Sequence, residues 1–260
     1  MKSIGIIFIV LASTFFSYSQ RNFNYSNYIQ KEVDPNQKTG VFLTYGQSNS
    51  VNSGEIGYVV MNNVYQSVFG DTYIYKDPSL GVNGDKGSVW GMVGDKLIDH
   101  GLYDNVIFSN CGSGGKKISQ LNKEPIISFL VNNYHSLINK FGKVDGILFH
   151  QGESDNNLSG EKNYYIEYIK FLEILKDNGI EVPIYLSRAS ISGKKKTNYE
   201  LVNIQNKLIN DFKIIKKGPN TDLLVDKKYR INGSPHFSRE GLEMFSDMWV
   251  YYIIRQIDIK

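Results

Sequence analysis

A chain of 260 residues, 41% of them hydrophobic and 21% charged, is long enough for one sizeable domain with its own core. The formal charge of +3 sits on scattered lysines, with Lys194 to Lys196 the one tight run; that is a solvated loop and not a basic face, so nucleic acid is excluded as a partner. A single cysteine, Cys111, excludes an internal disulfide and leaves the fold to be held by its core.

The chain opens with Lys2, an apolar run from Ile4 to Phe16, and small residues at Ser17 and Ser19. Residues 1–19 read as an export signal, too short for a span of about 20 apolar residues, which places the protein in the periplasm or the medium with no membrane span. Residues 20–38 are polar, rich in Asn and Tyr, and read as a loosely docked arm ahead of a domain at 39–260.

From Val41 the chain alternates short apolar runs with amphipathic stretches. Strands are expected at Val41 to Tyr45, Asn105 to Ser109, Asp145 to Phe149 and Pro183 to Ser187, with a weaker one at Asp222 to Val225. Helical stripes lie between them. Trp90, Val93 and Leu97 share a face, with Ser88 as cap and Gly101 as stop; Ile126, Leu130, Leu137 and Phe141 lie between Pro125 and Gly142. Tyr164, Tyr168, Phe171 and Leu175 end at Gly179, Leu201, Gln205, Leu208 and Phe212 form a fourth stripe, and Leu242, Phe245, Trp249 and Ile253 form a fifth behind Ser238. Strands alternating with helices make a mostly parallel sheet of about five strands covered on both faces, so every strand delivers its exit loop to one edge.

Those exit loops carry chemistry. After the first strand come Gly46, Gln47, Ser48 and Asn49; after the second, Asn110 to Gly115; after the third, His150, Gln151, Gly152, Glu153, Ser154 and Asp155; before the last helix, Asn232 to Ser238 with His236 among them. A hydroxyl, a glycine-rich backbone, an amide and an imidazole at one rim are the parts acyl transfer through a serine ester requires. Any one of these segments alone reads as an ordinary polar turn. His100 and His135 read as surface or capping residues, and Cys111 as a buried strand end. His150, Glu153 and Asp155 match no helical zinc spacing, and Gly112 to Lys117 lacks the Ser or Thr a phosphate loop needs after Lys116, so neither a metal nor an organic cofactor is expected.

Gly46-Gln47-Ser48-Asn49, Gly114-Gly115, His150-Gln151-Gly152-Glu153 and His236-Phe237-Ser238, in that order, resemble the blocks of the SGNH hydrolase superfamily and, within it, the sialate O-acetylesterase-like carbohydrate esterases. Gly87 to Trp90 is similar to a further segment of these proteins. The resemblance implies a three-layer α/β/α, flavodoxin-like fold and an acetylated carbohydrate as substrate. It further implies Ser48 as nucleophile, His236 as base, and oxyanion donors from the Ser48 and Gly115 N–H groups and the Gln151 side chain. Gly114 is the near-equal alternative to Gly115, and Glu153 and Asn232 are supporting residues.

One position departs from the pattern. The family carries Asp three residues before the histidine, and here Gly233 stands there, with Asn232 the nearest polar residue upstream. An imidazole without its acceptor loses the right tautomer, at a cost of about ten-thousand-fold in the Ser-His-Asp template. Three resolutions are open: a backbone carbonyl orients His236; Glu153, Asp222 or Asp226 reaches it; or the chemistry is lost and a carbohydrate-binding protein remains. An O-acetyltransferase passing the acyl group to a sugar hydroxyl is a further alternative. Sequence leaves the oligomeric state open.

Overall fold

A computed structural model describes residues 25–193 and 196–257; the export signal expected at residues 1–19 lies outside the described residues. Four of the expected strands are present as β1 (Thr39–Gly46), β4 (Asn105–Asn110), β5 (Gly146–His150) and β6 (Ile184–Arg188). Each has a side-chain alternation that feeds two cores. Val41, Leu43, Tyr45, Ile107, Ile147, Phe149, Ile184 and Leu186 pack on one face, while Phe42, Val106, Phe108, Leu148 and Tyr185 pack on the other. Strands buried on both faces read as continuous apolar runs, which is why these four are legible.

The sheet has seven strands, not about five: β2 (Val64–Val68), β3 (Asp71–Ile74) and β7 (Ile215–Asn220) join these four in the order β3-β2-β4-β1-β5-β6-β7. Of these three unforeseen strands, β2 and β3 form an antiparallel hairpin at one edge. Its turn is Phe69-Gly70, both at positive φ (50° and 88°). A phenylalanine in that conformation carries none of the Asn-Gly or Asp-Gly signal that marks such hairpins. All other pairings in the sheet are parallel.

The expected strand at Asp222 to Val225 is absent. Thr221–Leu223 is a single 3-10 turn, and the seventh strand is the preceding β7 (Ile215–Asn220), whose Gly218 and Pro219 read as breakers. Proline is tolerated there because β7 ends the sheet and one side of it needs no ladder.

Helices cover both faces: α1 (Trp90–Asp99) and α6 (Arg239–Ile257) pack on one, and α2 (Ile118–Leu121), α3 (Ile126–Phe141), α4 (Leu158–Asp177) and α5 (Tyr199–Asp211) on the other. The expected stops hold, Gly142 closing α3 in the left-handed conformation with its N–H on the Ile138 carbonyl (2.8 Å). Trp249 is fully buried between Trp90 and Phe245, with ring centroids at 5.5 and 5.9 Å, and ties α6 to α1.

The arm is more than loosely docked. From Tyr25 onward it lies along the free edge of β3, with Ile74 N–H on the Ile29 carbonyl (2.8 Å) and Lys31 N–H on the Thr72 carbonyl (3.0 Å). Backbone pairing of this kind covers an edge that would otherwise present unpaired groups.

Candidate active site

The exits of β1, β4 and β5 lie side by side, and Gly46 makes their closeness possible. A Cβ on Gly46 would stand 1.9 Å from the His150 carbonyl oxygen, and its φ of +143° is one that side chains avoid. Gln47 then turns the chain into a short 3-10 turn, Ser48–Ser50. Ser48 keeps 8% of its surface, and among the described residues neither its hydroxyl nor its N–H has a hydrogen-bond partner. Ser50, the alternative hydroxyl in the turn, is fully buried and out of reach of any ester.

Gln47 fastens the third loop to the first. Its Oε1 accepts from Ser154 N–H (2.9 Å) and from the Gln151 amide (3.2 Å), while its own N–H donates to the His150 carbonyl (3.1 Å). The second loop is laid on the first through Ser113 N–H to the Gly46 carbonyl (2.8 Å). Of the two glycines there, Gly114 donates its N–H to Asn83 Oδ1 (2.8 Å), and only the Gly115 N–H is without a partner among the described residues.

Gln151 is placed otherwise than the resemblance implies. It is fully buried, and its Nε2 donates to Asp155 Oδ2 (2.5 Å), Gln47 Oε1 (3.2 Å) and the Lys116 carbonyl (3.2 Å). Two hydrogens shared by three protein acceptors leave none for an oxyanion. Gln151 is a strut beneath the loops, because Asp155 draws its amide inward.

The fourth loop meets the first through Asn49. Its Nδ2 donates to the Pro235 carbonyl (3.2 Å) and to Glu153 Oε1 (2.8 Å), so the residue after Ser48 is bonded to the residue before His236. Glu55 N–H donates to the Phe237 carbonyl (3.0 Å) on the other side of the histidine. Arg230 fixes the same loop from below, bonding the carbonyls of Leu224 (3.1 Å), Thr221 (2.8 Å) and Pro235, with its guanidinium 4.2 Å from the Phe237 ring centre.

Glu153 is the buried anion of the site. Burial alone would raise its carboxyl, but the His150 ring at 2.9 Å and the Asn49 amide hold it down at about 2. Oε1 accepts from His150 Nε2, and His150 Nδ1 is buried without a hydrogen-bond partner, with the ring packed against Phe245. Glu153 Oε2 is likewise buried and unpartnered.

Of the carboxylates considered for His236, Asp222 is taken by Ser190 N–H (2.8 Å), Ile191 N–H (3.1 Å) and the Ser190 hydroxyl, and Asp226 caps Lys228 N–H (3.1 Å) at the surface. Glu153 remains: its charge acts on His236, although no hydrogen bond joins them and the ring has no bonded acceptor among the described residues. Asn232 is exposed in the turn, and its side chain has no hydrogen-bond partner among the described residues. Gly233, which stands where the family's Asp would be, has φ +73°, in the left-handed region. Burial lowers the His236 pKa; the Glu153 charge opposes this, and Lys86 and Arg230 add to the lowering.

The profile of the family described as carbohydrate esterase, sialic acid-specific acetylesterase, matches residues 94–250, which include Gly115, Glu153 and His236 and leave out Ser48. The chain belongs to this carbohydrate esterase family. No curated protein sequence matches it. Similar solved structures include a protein from Arabidopsis thaliana (11% identity, 84% of this chain and 98% of that one, TM-score 0.67) and NanS (16%, 86% and 98%, 0.60). A carbohydrate acetylesterase from Xanthomonas citri is also similar (13%, 81% of this chain and 54% of that one, 0.51). At these identities the likeness is one of fold, that of the SGNH and GDSL-like hydrolases.

Within this esterase family member, four residues that shape the site escape sequence reasoning. Asn49 lies inside the quoted block, and its role in tying Glu153 to Pro235 was readable only as a generic turn residue. Asn83, Lys86 and Arg230 lie in segments with no strand or helix pattern, and nothing in their spacing to the blocks marks them. Among the described residues no group of three His, Cys, Asp or Glu side chains could hold a metal ion, and no helix is long and apolar enough to cross a membrane.

Proposed function

We propose that this protein is an exported serine esterase that removes O-acetyl groups from a carbohydrate. His236 takes the Ser48 proton as Oγ bonds to the ester carbonyl carbon, and the resulting oxyanion is met by the Ser48 and Gly115 N–H groups. The carbon–oxygen bond to the sugar then breaks, and His236 returns its proton to the departing alcohol. Water, deprotonated by the same imidazole, releases acetate and restores Ser48.

The observation that carries this reading is the Asn49 bridge: the neighbours of Ser48 and His236 are bonded to one another at a rim where the serine hydroxyl and two backbone donors are unengaged. The test is acetate release from O-acetylated sugars by the purified protein, with His236→Ala losing about a thousandfold or more in kcat. Unchanged turnover in His236→Ala sinks it.

A pH profile gives an independent check. A base must be neutral to accept a proton, and the His236 pKa is lowered from its usual value near 6.5. Activity should therefore be flat through neutral pH and fall only below that value. Lys86 helps hold the pKa down, so Lys86→Glu should move the acid limb of kcat/KM to higher pH while leaving the plateau rate intact. A limb that stays put or moves down counts against His236 as the base.

A second reading is a glycan-binding protein whose chemistry has been lost, favoured by the absence of a bonded acceptor on the His236 ring among the described residues. A fluorophosphonate separates the two, since a dead site binds glycans without reacting at Ser48.

A further inference from the structure

We propose that Asn83 donates a hydrogen bond to the oxyanion, a part for which the inward-turned Gln151 has no hydrogen to spare; this rests on the serine-esterase reading above. Asn83 lies on the loop between β3 and α1, well before the glycine pair in the chain. Its Oδ1 accepts the Gly114 N–H at 2.8 Å. That bond fixes which end of the amide is which, so the NH2 end faces away from the Gly114 nitrogen, and among the described residues it has no acceptor.

The position of that NH2 group is also constrained. A Cβ on Gly114 would stand 2.9 Å from Asn83 Nδ2, so the amide lies against the Gly114 Cα, one peptide unit from the unengaged Gly115 N–H. Two N–H donors without a partner among the described residues thus lie one peptide unit apart at the loop after β4. Asn83 is solvent-exposed and open to a substrate carbonyl.

The loop that carries it is tied directly to the nucleophile segment. Asn52, just beyond the Ser48 turn, accepts Ser79 N–H (2.7 Å) and the Ser79 hydroxyl (2.9 Å) and donates to the Ser79 carbonyl (2.8 Å). On the far side of Asn83, Lys86 N–H returns to the Asn52 carbonyl (3.3 Å). Asn110, at the end of β4, donates to the Ser79 hydroxyl (2.9 Å). A donor held at both ends against the segments carrying Ser48 and Gly115 needs little reorganisation when charge develops, which is what makes such a group effective.

The test uses Asn83→Asp and Asn83→Ala, each read by kcat, KM, thermal midpoint and the rate at which a fluorophosphonate labels Ser48. Aspartate keeps the acceptor for Gly114 N–H and removes both donor hydrogens; alanine removes both functions. Comparison is made on the alkaline plateau, where a charge-induced change in the His236 pKa has no effect. Loss of about a hundredfold in kcat and labelling rate in both variants, with KM within threefold and the thermal midpoint unchanged, is expected. Wild-type rates in Asn83→Asp overturn the proposal and leave Asn83 as a loop tie. Loss in Asn83→Asp alone overturns it too, since the cause is then charge. If the wild-type protein is not labelled at Ser48, the esterase reading fails and this inference falls with it; labelled wild type with unaffected variants sinks the inference alone.

Discussion

Ser48→Ala should abolish ester hydrolysis, lowering kcat by about ten-thousandfold or more, while the protein stays folded with an unchanged thermal midpoint. The two halves of this expectation have separate causes. The rate falls because no covalent acyl-enzyme can form, and in a triad enzyme removal of the serine alone costs about as much as removal of the whole catalytic set. Stability holds because the Ser48 hydroxyl bonds nothing among the described residues, so alanine strands no buried partner. Acetate release and a thermal melt on one preparation check both. Ser50→Ala is the control: its hydroxyl is buried without a partner, and its loss should leave turnover as it is. Full activity in Ser48→Ala would end the serine-esterase account.

Glu153→Ala should damage fold and activity together. Its Oε1 is the common acceptor for the Asn49 amide and the His150 ring, both buried, and each donor left without a partner costs about 1–3 kcal/mol. Asn49 also holds the Pro235 carbonyl, so freeing it loosens the loop that presents His236 and lowers kcat even in the fraction that folds. Glu153→Gln separates charge from shape. It keeps a carbonyl oxygen for one donor and removes the anion that raises the His236 pKa, so the acid limb of kcat/KM should move to lower pH.

The stability dependence has a definite sign. A carboxyl held at about 2 when folded, against its ordinary value of 4.5, stabilises the protein above the unfolded value and loses that contribution as pH falls through the folded one. Wild type should therefore lose stability between those limits by more than Glu153→Gln does. Equal acid sensitivity of the two proteins, seen in denaturant midpoints across that range, would show that Glu153 carries no such role.

The sequence was most informative where one physical signal dominates. β1, β4, β5 and β6 are apolar on both faces, and the long helices carry full stripes closed by glycine, so the layered architecture and the common edge of the exit loops could be read directly. The blocks around Ser48, Gly115, Glu153 and His236 could be read as well, because Gly-Gln-Ser-Asn and its companions follow in a fixed order. The hairpin β2–β3 was hidden by a phenylalanine in a turn that usually takes Asn or Gly, and β7 by the Gly-Pro pair that only a sheet end tolerates.

Residue types, their order and the edge at which they gather were settled by sequence, since these depend on local periodicity and on the handedness of strand–helix connections. Which way a side-chain amide turns was not, because that depends on acceptors brought up from distant parts of the chain. Asp155 pulls Gln151 inward, Gly114 fixes Asn83 with its NH2 end free, and Asn49 chooses Glu153 and Pro235, each a choice made by hydrogen-bond geometry that exists only once the four loops have met.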